Sequence, residues 1–536
     1  MSDRSGTCLT ACLLAASTLG LAGGGLLGFA AEPARAQVSD TARRCEALQG
    51  FEADGLEITS ARLVPAAAPG TVRRNAFTED TFDFAFPEHC RIEGVINRRQ
   101  GAGGVEYGIG FALTLPTDWQ GRLLFQGGGG FNGSIREPYG PTPNPQDAAL
   151  AHGFAVVSTD GGHKGSSFDV AFMADQQAAL DFAFNALPTV TLTAKAIATA
   201  YYDEAPHHTY SVGCSTGGRE GMLAAQRYPL LFDGVVSGHP AIRTAHSRLA
   251  AFNAVTAFNR IAPRNPDGTP RRLEAFPAGD QRLLHRAIAA QCDALDGLAD
   301  GMIFNLRACN FDPRVLQCRG EKTDQCLSAG QVEALRTAFA GPRDSRGNPV
   351  YASFPYDLGL LGEHVGNKSM SMLPISSPGP FDTPPDPFSI DVDAEIARIA
   401  SDALQILSDT HTWTDLGSFY RKGGKIIFYH GAADPWFSVN DTIAYYEANK
   451  TANPEFDSSR LYAIPGLAHC GEGPLEVFDL LTPLVDWVER GKAPLSVVAQ
   501  DWLGTRTRRP LCPWPQYPRY DGDGDPNDPA NFACTN

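Results

Sequence analysis

A chain of 536 residues, 43% hydrophobic and 19% charged, is globular in composition and longer than one compact core usually holds. Its 44 basic and 60 acidic side chains leave a net charge of −16, which argues against nucleic acid or an anionic membrane surface as a partner. The first 36 residues read as an export leader, a signal peptide. Arg4 opens it, Leu9 to Ala31 is apolar, and Ala34-Arg35-Ala36 matches an A-x-A cleavage site, so Gln37 is the expected mature start. The Gly-rich apolar run is a mediocre spanning helix and no later stretch is long enough to cross a bilayer, so no membrane contact is expected after cleavage. The mature protein is expected to be secreted or periplasmic. Of twelve cysteines, Cys8 and Cys12 leave with the leader, and the rest suggest a set of disulfides. Cys292 with Cys309, Cys318 with Cys326 and Cys512 with Cys534 are close in sequence. Cys45 and Cys90 bracket an N-terminal segment, which leaves Cys214 and Cys470, far apart. No C-x-x-C occurs, which weakens a zinc reading.

Residues 37 to about 100 are expected to be β-rich, broken by Pro and Gly. Tyr107 to Leu115 alternates as a strand. Arg122 to Gln126 is a short apolar strand running into Gly127-Gly128-Gly129-Gly130, and Ala155 to Thr159 is another strand. Residues 171 to 203 carry helical spacing with a break at Pro188. Thr209 to Val212 is β-rich and leads into Gly213-Cys214-Ser215-Thr216-Gly217. A helix-like run from Arg219 to Arg227 follows, then a strand at Gly234 to Gly238. From about 241 to 420 the alternation lapses into local cysteine pairs, an acidic loop and Pro-rich stretches such as Ser377 to Pro387. It resumes with a strand at Lys425 to Tyr429 that ends in His430-Gly431-Ala432-Ala433-Asp434. Another, Leu461 to Ile464, ends in Pro465-Gly466-Leu467-Ala468-His469-Cys470. A helix around Leu475 to Glu489 and a loop-rich tail close the chain. Apolar strands alternating with helices imply an α/β fold around a largely parallel sheet. Its main domain is expected from 37–240 and 421–536, with 241–420 as an inserted domain.

Gly213 to Gly217 is a G-x-S-x-G elbow in the strand, turn, helix context the motif needs. A serine hydroxyl attacks only when a base takes its proton and a third group orients that base. Ser215, Asp434 and His469 occur in the order Ser, acid, His, each after an expected strand, and are the candidate catalytic triad. Asp415 is the next candidate acid but precedes an expected helix. His430 and His163 are read as structural or substrate-contacting, and His239 as a residue that could line the pocket. Acyl transfer also needs backbone N–H donors for the carbonyl oxygen. Thr216 is one candidate for this oxyanion hole, and Gly129 or Gly130 of the glycine run is the other.

If Ser215 and His469 meet, their neighbours Cys214 and Cys470 must nearly meet as well, and a disulfide between them would staple the base to the elbow. Asp293-Ala294-Leu295-Asp296-Gly297-Leu298-Ala299-Asp300-Gly301-Met302 reads as a calcium loop. Asp293, Asp296 and Asp300 would supply carboxylates, Leu298 and Met302 carbonyls. The spacing is not that of an EF-hand. The tail run Asp521 to Asp525 is read as a plain turn.

The arrangement Cys214-Ser215, Asp434 and His469-Cys470 resembles the tannase and feruloyl esterase family, and the resemblance runs from Cys45 to Cys534. In that family a disulfide joins the residue before the nucleophile to the residue after the base, and an inserted lid carries a calcium loop like Asp293 to Met302. The resemblance implies an α/β-hydrolase core with a large inserted lid domain. It also implies a secreted serine esterase that hydrolyses small esters of aromatic (hydroxybenzoic or hydroxycinnamic) acids through an acyl-enzyme. Calcium would stabilise the lid, and no organic cofactor is expected. Terephthalate mono-esters are the alternative substrate, and a peptidase on the same fold the alternative chemistry. The lid would form most of the acyl pocket. Phe354, Tyr356, Trp413 and Phe419 are candidates for it, with Trp436 and Phe437 better placed.

Overall fold

Runs rich in β-branched and aromatic residues form one nine-stranded sheet in the computed structural model, which describes residues 39–73, 81–140, 147–361, 384–501 and 507–536. The expected leader, with Cys8 and Cys12, and part of the stretch from Ser377 to Pro387 lie outside the described residues. In chain order the strands are β1 (Leu56–Val64), β2 (His89–Gln100), β3 (Glu106–Pro116), β4 (Arg122–Gln126), β5 (Phe154–Thr159), β6 (His208–Cys214), β7 (Gly234–Gly238), β8 (Lys425–Gly431) and β9 (Ser459–Ile464). The sheet order is β1-β2-β3-β5-β4-β6-β7-β8-β9. The first three pair antiparallel and β3 meets β5 antiparallel, while β5 through β9 form a parallel block. Alternate side chains enter opposite cores: Leu123 and Phe125 one, Leu124 the other. Both faces are therefore buried, as a parallel block requires, and the architecture is that of an α/β hydrolase.

The N-terminal segment, expected to be β-rich, carries β1 and β2 but also a helix. It begins with helix α1 (Asp40–Ala47), whose Cys45 is bonded to Cys90 on β2. Before β6 come α2 (Gln176–Leu180), a π turn at Asp181–Asn185 and α3 (Ala186–Tyr202). Pro188 does not break this run. It falls in the first turn of α3, directly after the π turn, where a missing N–H costs little. After β6 comes α4 (Thr216–Arg227).

Between β7 and β8 no strand is added to the large sheet among the described residues. The chain there carries α5 (Thr244–Ile261), α6 (Ala278–Cys292), α7 (Ala329–Ala340), α8 (Val392–Ser401), α9 (Ala403–Ser408) and α10 (Gly417–Arg421). Phe258, Phe276, Leu284, Leu335 and Phe339 join α5, α6 and α7 in a core of their own, which Ala433, just after β8, also enters. Residues 40–536 make one compact unit. After β8 comes α11 (Val439–Ala452). The last long helix, α12, is Leu481–Arg490 and starts later than expected, because Val477–Phe478 is taken as strand β10 against β11 (Val497–Gln500), which pairs with β12 (Arg508–Leu511). The tail also holds a hairpin of β13 (Tyr517–Tyr520) and β14 (Phe532–Thr535), more structure than its loop-rich sequence suggests. The disulfides are Cys45–Cys90, Cys214–Cys470, Cys292–Cys309, Cys318–Cys326 and Cys512–Cys534.

Candidate active site

β6 ends at Cys214 and α4 begins at Thr216, so Ser215 makes the turn by itself, at φ 63° and ψ −120°. Such a backbone is costly for a residue with a side chain and persists only where its surroundings fix it. Here the Ser215 N–H donates to the Gly238 carbonyl (2.9 Å), and the Ser215 carbonyl accepts from Arg219 (3.0 Å) and Ala241 (3.2 Å). The flanking glycines are needed for space. A Cβ on Gly213 would lie 2.6 Å from the Gly217 carbonyl carbon, and one on Gly127 would lie 2.6 Å from the Gly217 Cα. The loop after β4 thus packs backbone to backbone on the elbow.

Asp434 follows β8 and is buried. Its Oδ2 accepts from His469 Nδ1 at 2.7 Å and from His239 Nδ1 at 2.8 Å, and lies 3.3 Å from His430 Nε2. Its Oδ1 accepts the N–H groups of Trp436 (2.8 Å) and Phe437 (3.1 Å). Burial alone would push this carboxyl up. The His469 charge and the hydrogen bonds from the three imidazoles outweigh it and hold Asp434 well below the usual carboxylate range. His239 Nε2 accepts the Gly431 N–H at 3.3 Å, which assigns the proton to Nδ1. Burial lowers its pKa to about 3, against the opposing pull of Asp434, so it stays neutral. His430 is held by the Thr442 hydroxyl (2.8 Å) and the Phe437 carbonyl (2.9 Å). Neither histidine lines the pocket as the sequence reading allowed for His239. Both are fully buried behind Asp434 and act on its orientation. Among the described residues, His239, His430 and Asp434 are also the tightest group of potential metal ligands, but these same atoms are engaged in the hydrogen bonds just given.

In the loop after β4, the N–H of Gly127 goes to the Val212 carbonyl (2.9 Å), Gly128 to Glu220 Oε2 (2.8 Å), Gly129 to Asn132 Oδ1 (3.0 Å) and Phe131 to the Ser167 carbonyl (2.7 Å). Gly130 N–H has no partner among the described residues. Of the two glycines open from the sequence, Gly129 has therefore spent its donor and Gly130 has not. The Thr216 hydroxyl donates to the Gly130 carbonyl, and the Thr216 N–H lies at the first position of α4, where helix donors lack intrahelical partners. Glu220, which anchors Gly128, was not legible as a site residue. It is buried, and burial raises its pKa against the nearby Arg219 charge.

Ser215, Thr216, Gly130, His469 and the Cys214–Cys470 disulfide border one cavity of about 660 Å³, within the range of small-molecule sites. Trp436 and Phe437 line it as expected. Phe354 and Phe419 instead fill cores, Tyr356 stacks on Phe339, and Trp413 is 53% exposed. Of the other aromatic walls, Phe131, Phe168 and Phe182 precede the elbow in sequence and Tyr429 lies on β8, while Leu404, Gln405 and Ser408 come from the segment between β7 and β8. His163 is buried and stacks on Phe172 at 3.6 Å. Asp415, just before α10, accepts the Gly417 N–H (2.8 Å) and takes no part in the site.

In the acidic loop, Asp293 accepts the N–H groups of Asp300 and Gly301, and Asp296 those of Leu298 and Phe304. Asp300 accepts from Met302 and pairs with Arg509 at 2.6 Å. The three carboxylates do not gather within 4.8 Å of one another.

The family model described as tannase and feruloyl esterase matches residues 90–375 and 382–535. The chain is 38% identical to mono(2-hydroxyethyl) terephthalate hydrolase of Piscinibacter sakaiensis, over 91% of each protein. It is 29% identical to a probable feruloyl esterase B-2 of Aspergillus flavus, over 75% of this chain and 80% of that one. Feruloyl esterase B from Aspergillus oryzae superposes with a TM-score of 0.74 at 25% identity, covering 92% of this chain and all of that one. Tannin acyl hydrolase from Aspergillus niger shares the fold, with a TM-score of 0.68 at 22% identity over 93% of this chain and 95% of that one.

Proposed function

This chain belongs to the tannase and feruloyl esterase family and is a carboxylic ester hydrolase, and from that premise we propose a serine mechanism on esters of aromatic acids. Ser215 attacks the ester carbonyl while His469 takes its proton through Nε2. Asp434 holds the Nδ1–H of His469 and balances the imidazolium. Thr216 and Gly130 donate their N–H groups to the oxyanion. His469 then returns the proton to the leaving alcohol, and a water deprotonated by the same base releases the acid. The observation that carries this reading is the 2.7 Å bond between Asp434 and His469, whose neighbour Cys470 is bonded to Cys214 beside Ser215. A hydroxybenzoate or hydroxycinnamate ester suits the aromatic walls. A terephthalate mono-ester is the second reading, favoured by the substrate named for the 38% identical relative.

Export through the leader, with Gln37 as the first mature residue, fits a chain with five disulfides. One experiment tests site and processing together. The protein recovered from the producing cell is treated with a fluorophosphonate, digested and read by mass spectrometry. One phosphonyl group on the Ser215 peptide and an N-terminal peptide starting at Gln37 are expected, alongside hydrolysis of methyl gallate, methyl ferulate, chlorogenate or a terephthalate mono-ester but not of the matching amides. Labelling elsewhere, or amide cleavage at comparable rates, would overturn the esterase mechanism.

The segment between β7 and β8 is the lid of this reading, and the oxygen donors of its acidic loop suit calcium, which would draw the three carboxylates together and Asp300 away from Arg509. Asp293 and Asp296 are nearly buried carboxylates that receive only backbone N–H groups and no side-chain cation. Asp293, Asp296 and Asp300, with the carbonyls of Leu298 and Met302, would hold the ion. It would neutralise buried charge and take no part in the chemistry. Chelation with EDTA should lower Tm by about 2–6 °C, and added calcium should restore it. An unchanged Tm would remove calcium from the account.

A further inference from the structure

Arg136 borders the cavity that contains Ser215 and His469, and its guanidinium has no hydrogen-bond or ion-pair partner among the described residues. This stands out in a chain with 60 acidic side chains against 44 basic ones. The adjacent carboxylate, Glu137, is committed to Arg91 at 2.5 Å. The other cavity arginine, Arg219, is committed to the carbonyls of Ala183 (2.8 Å) and Phe182 (3.1 Å). Glu220 is the charge felt at Arg136, but its own hydrogen bonds go to Gly128 and Asn132.

The loop that presents Arg136 is nevertheless fixed. The Arg136 carbonyl accepts from the Ser158 hydroxyl (2.5 Å), and the Pro138 carbonyl from the Thr114 hydroxyl (2.7 Å). Gln126 bridges the Glu137 carbonyl (3.0 Å) and the Gly140 N–H (2.8 Å). The guanidinium itself lies over Gly129, where any Cβ would collide with it. Arg136 as a whole is exposed, and the protein packed against its guanidinium on the cavity side lowers its pKa. A cation carried on a fixed loop at the edge of the cavity and left without a counter-ion is open to an anion, and a planar guanidinium matches a carboxylate in two parallel hydrogen bonds.

We propose that Arg136 is a specificity residue that binds a carboxylate carried by the substrate in addition to its scissile ester. The proposal rests on the esterase reading and narrows it to anionic esters. Two matched pairs locate the charge. Mono-methyl terephthalate against dimethyl terephthalate places it on the acyl side, and chlorogenate against methyl caffeate places it on the alcohol side. The wild type should favour the anionic member of at least one pair. Arg136→Gln should reduce that preference about 10–100-fold, mainly through KM, while Arg136→Lys should retain part of it. The pair whose ratio moves identifies the side.

Equal loss on charged and neutral members, seen in kcat, would overturn the proposal and assign Arg136 to the oxyanion loop. An unchanged ratio in both pairs would overturn it as well. Competition on the wild-type enzyme gives a second measure that needs no variant. Free benzoate should inhibit at least about 10-fold better than benzamide, and the gap should narrow with added salt. Equal inhibition by the two counts against the proposal. If the wild type hydrolyses no member of either pair, the esterase reading itself fails and takes this proposal with it. Hydrolysis with an Arg136-independent ratio sinks the proposal alone.

Discussion

Replacing Ser215 by alanine should lower kcat/KM on an aromatic ester by roughly 10⁴–10⁶-fold and leave Tm within about 2 °C of wild type. The two parts have separate causes. The rate falls because no other group stands at the elbow to form the acyl-enzyme. Stability is kept because the fixing bonds at this residue are made by its backbone, through Gly238, Arg219 and Ala241, and alanine keeps all three. Its Oγ has no hydrogen-bond partner among the described residues, so no bond is orphaned. Ser215→Gly isolates the backbone cost. At φ 63° glycine is unstrained, so this inactive variant should be up to about 1 kcal/mol more stable than Ser215→Ala. Residual turnover above about one part in a hundred, free of contaminating wild type, would mean that another residue attacks.

Asp434→Asn should cost roughly 10³–10⁴-fold in kcat and, unlike the serine variant, about 2–4 kcal/mol of stability at pH 7. Both carboxylate oxygens accept two strong donors: the N–H groups of Trp436 and Phe437 on one, His469 and His239 on the other. An amide has one acceptor. Whichever way it turns, its NH₂ faces two N–H groups at a buried position. The pH dependence follows from the depressed pKa of Asp434. Its stabilising contribution is complete above the unfolded carboxylate pKa, near 4, and is lost only as pH falls through the lower folded value. The stability gap between wild type and Asp434→Asn should therefore be constant at neutral pH and close under acid. A gap that widened on acidification would contradict the network described.

What could be read from the sequence was local or ordered along the chain. The elbow, the strands that precede Ser215, Asp434 and His469, and the cysteines beside the first and last are all short patterns. The pairing of Cys214 with Cys470 followed from placing two neighbours together. His239 and His430 could not be placed this way. Each follows or ends a strand like a pocket residue, and only the adjacency of β7 and β8 turns both toward Asp434. Trp436 and Phe437 line the cavity as expected, but the other aromatic candidates do not, for the same reason. Phe354 and Phe419 are as aromatic as Phe131 and Phe182, and burial in a core or exposure to a cavity is decided by packing between distant segments. Pro188 and α1 show the limits of local rules in the other direction. The proline falls in the first turn of α3 after a π turn, and a helix tied to β2 by Cys45–Cys90 opens a segment that reads as β-rich.

Ser215, His239, Asp434 and His469 leave the carboxyl edges of β6, β7, β8 and β9, four strands that lie side by side in that order. At about 4.8 Å per strand, the first and last axes are roughly 14 Å apart. The chain returns across that distance in the few residues from Pro465 to Cys470, and the Cα atoms of Cys214 and Cys470 end 5.9 Å apart. The disulfide is thus a tie-bar across the rim of the sheet, spanning the two strands between. Splaying of β6 from β9 must stretch it before serine and imidazole can separate, so the reach of the base is set by the rigidity of the whole rim.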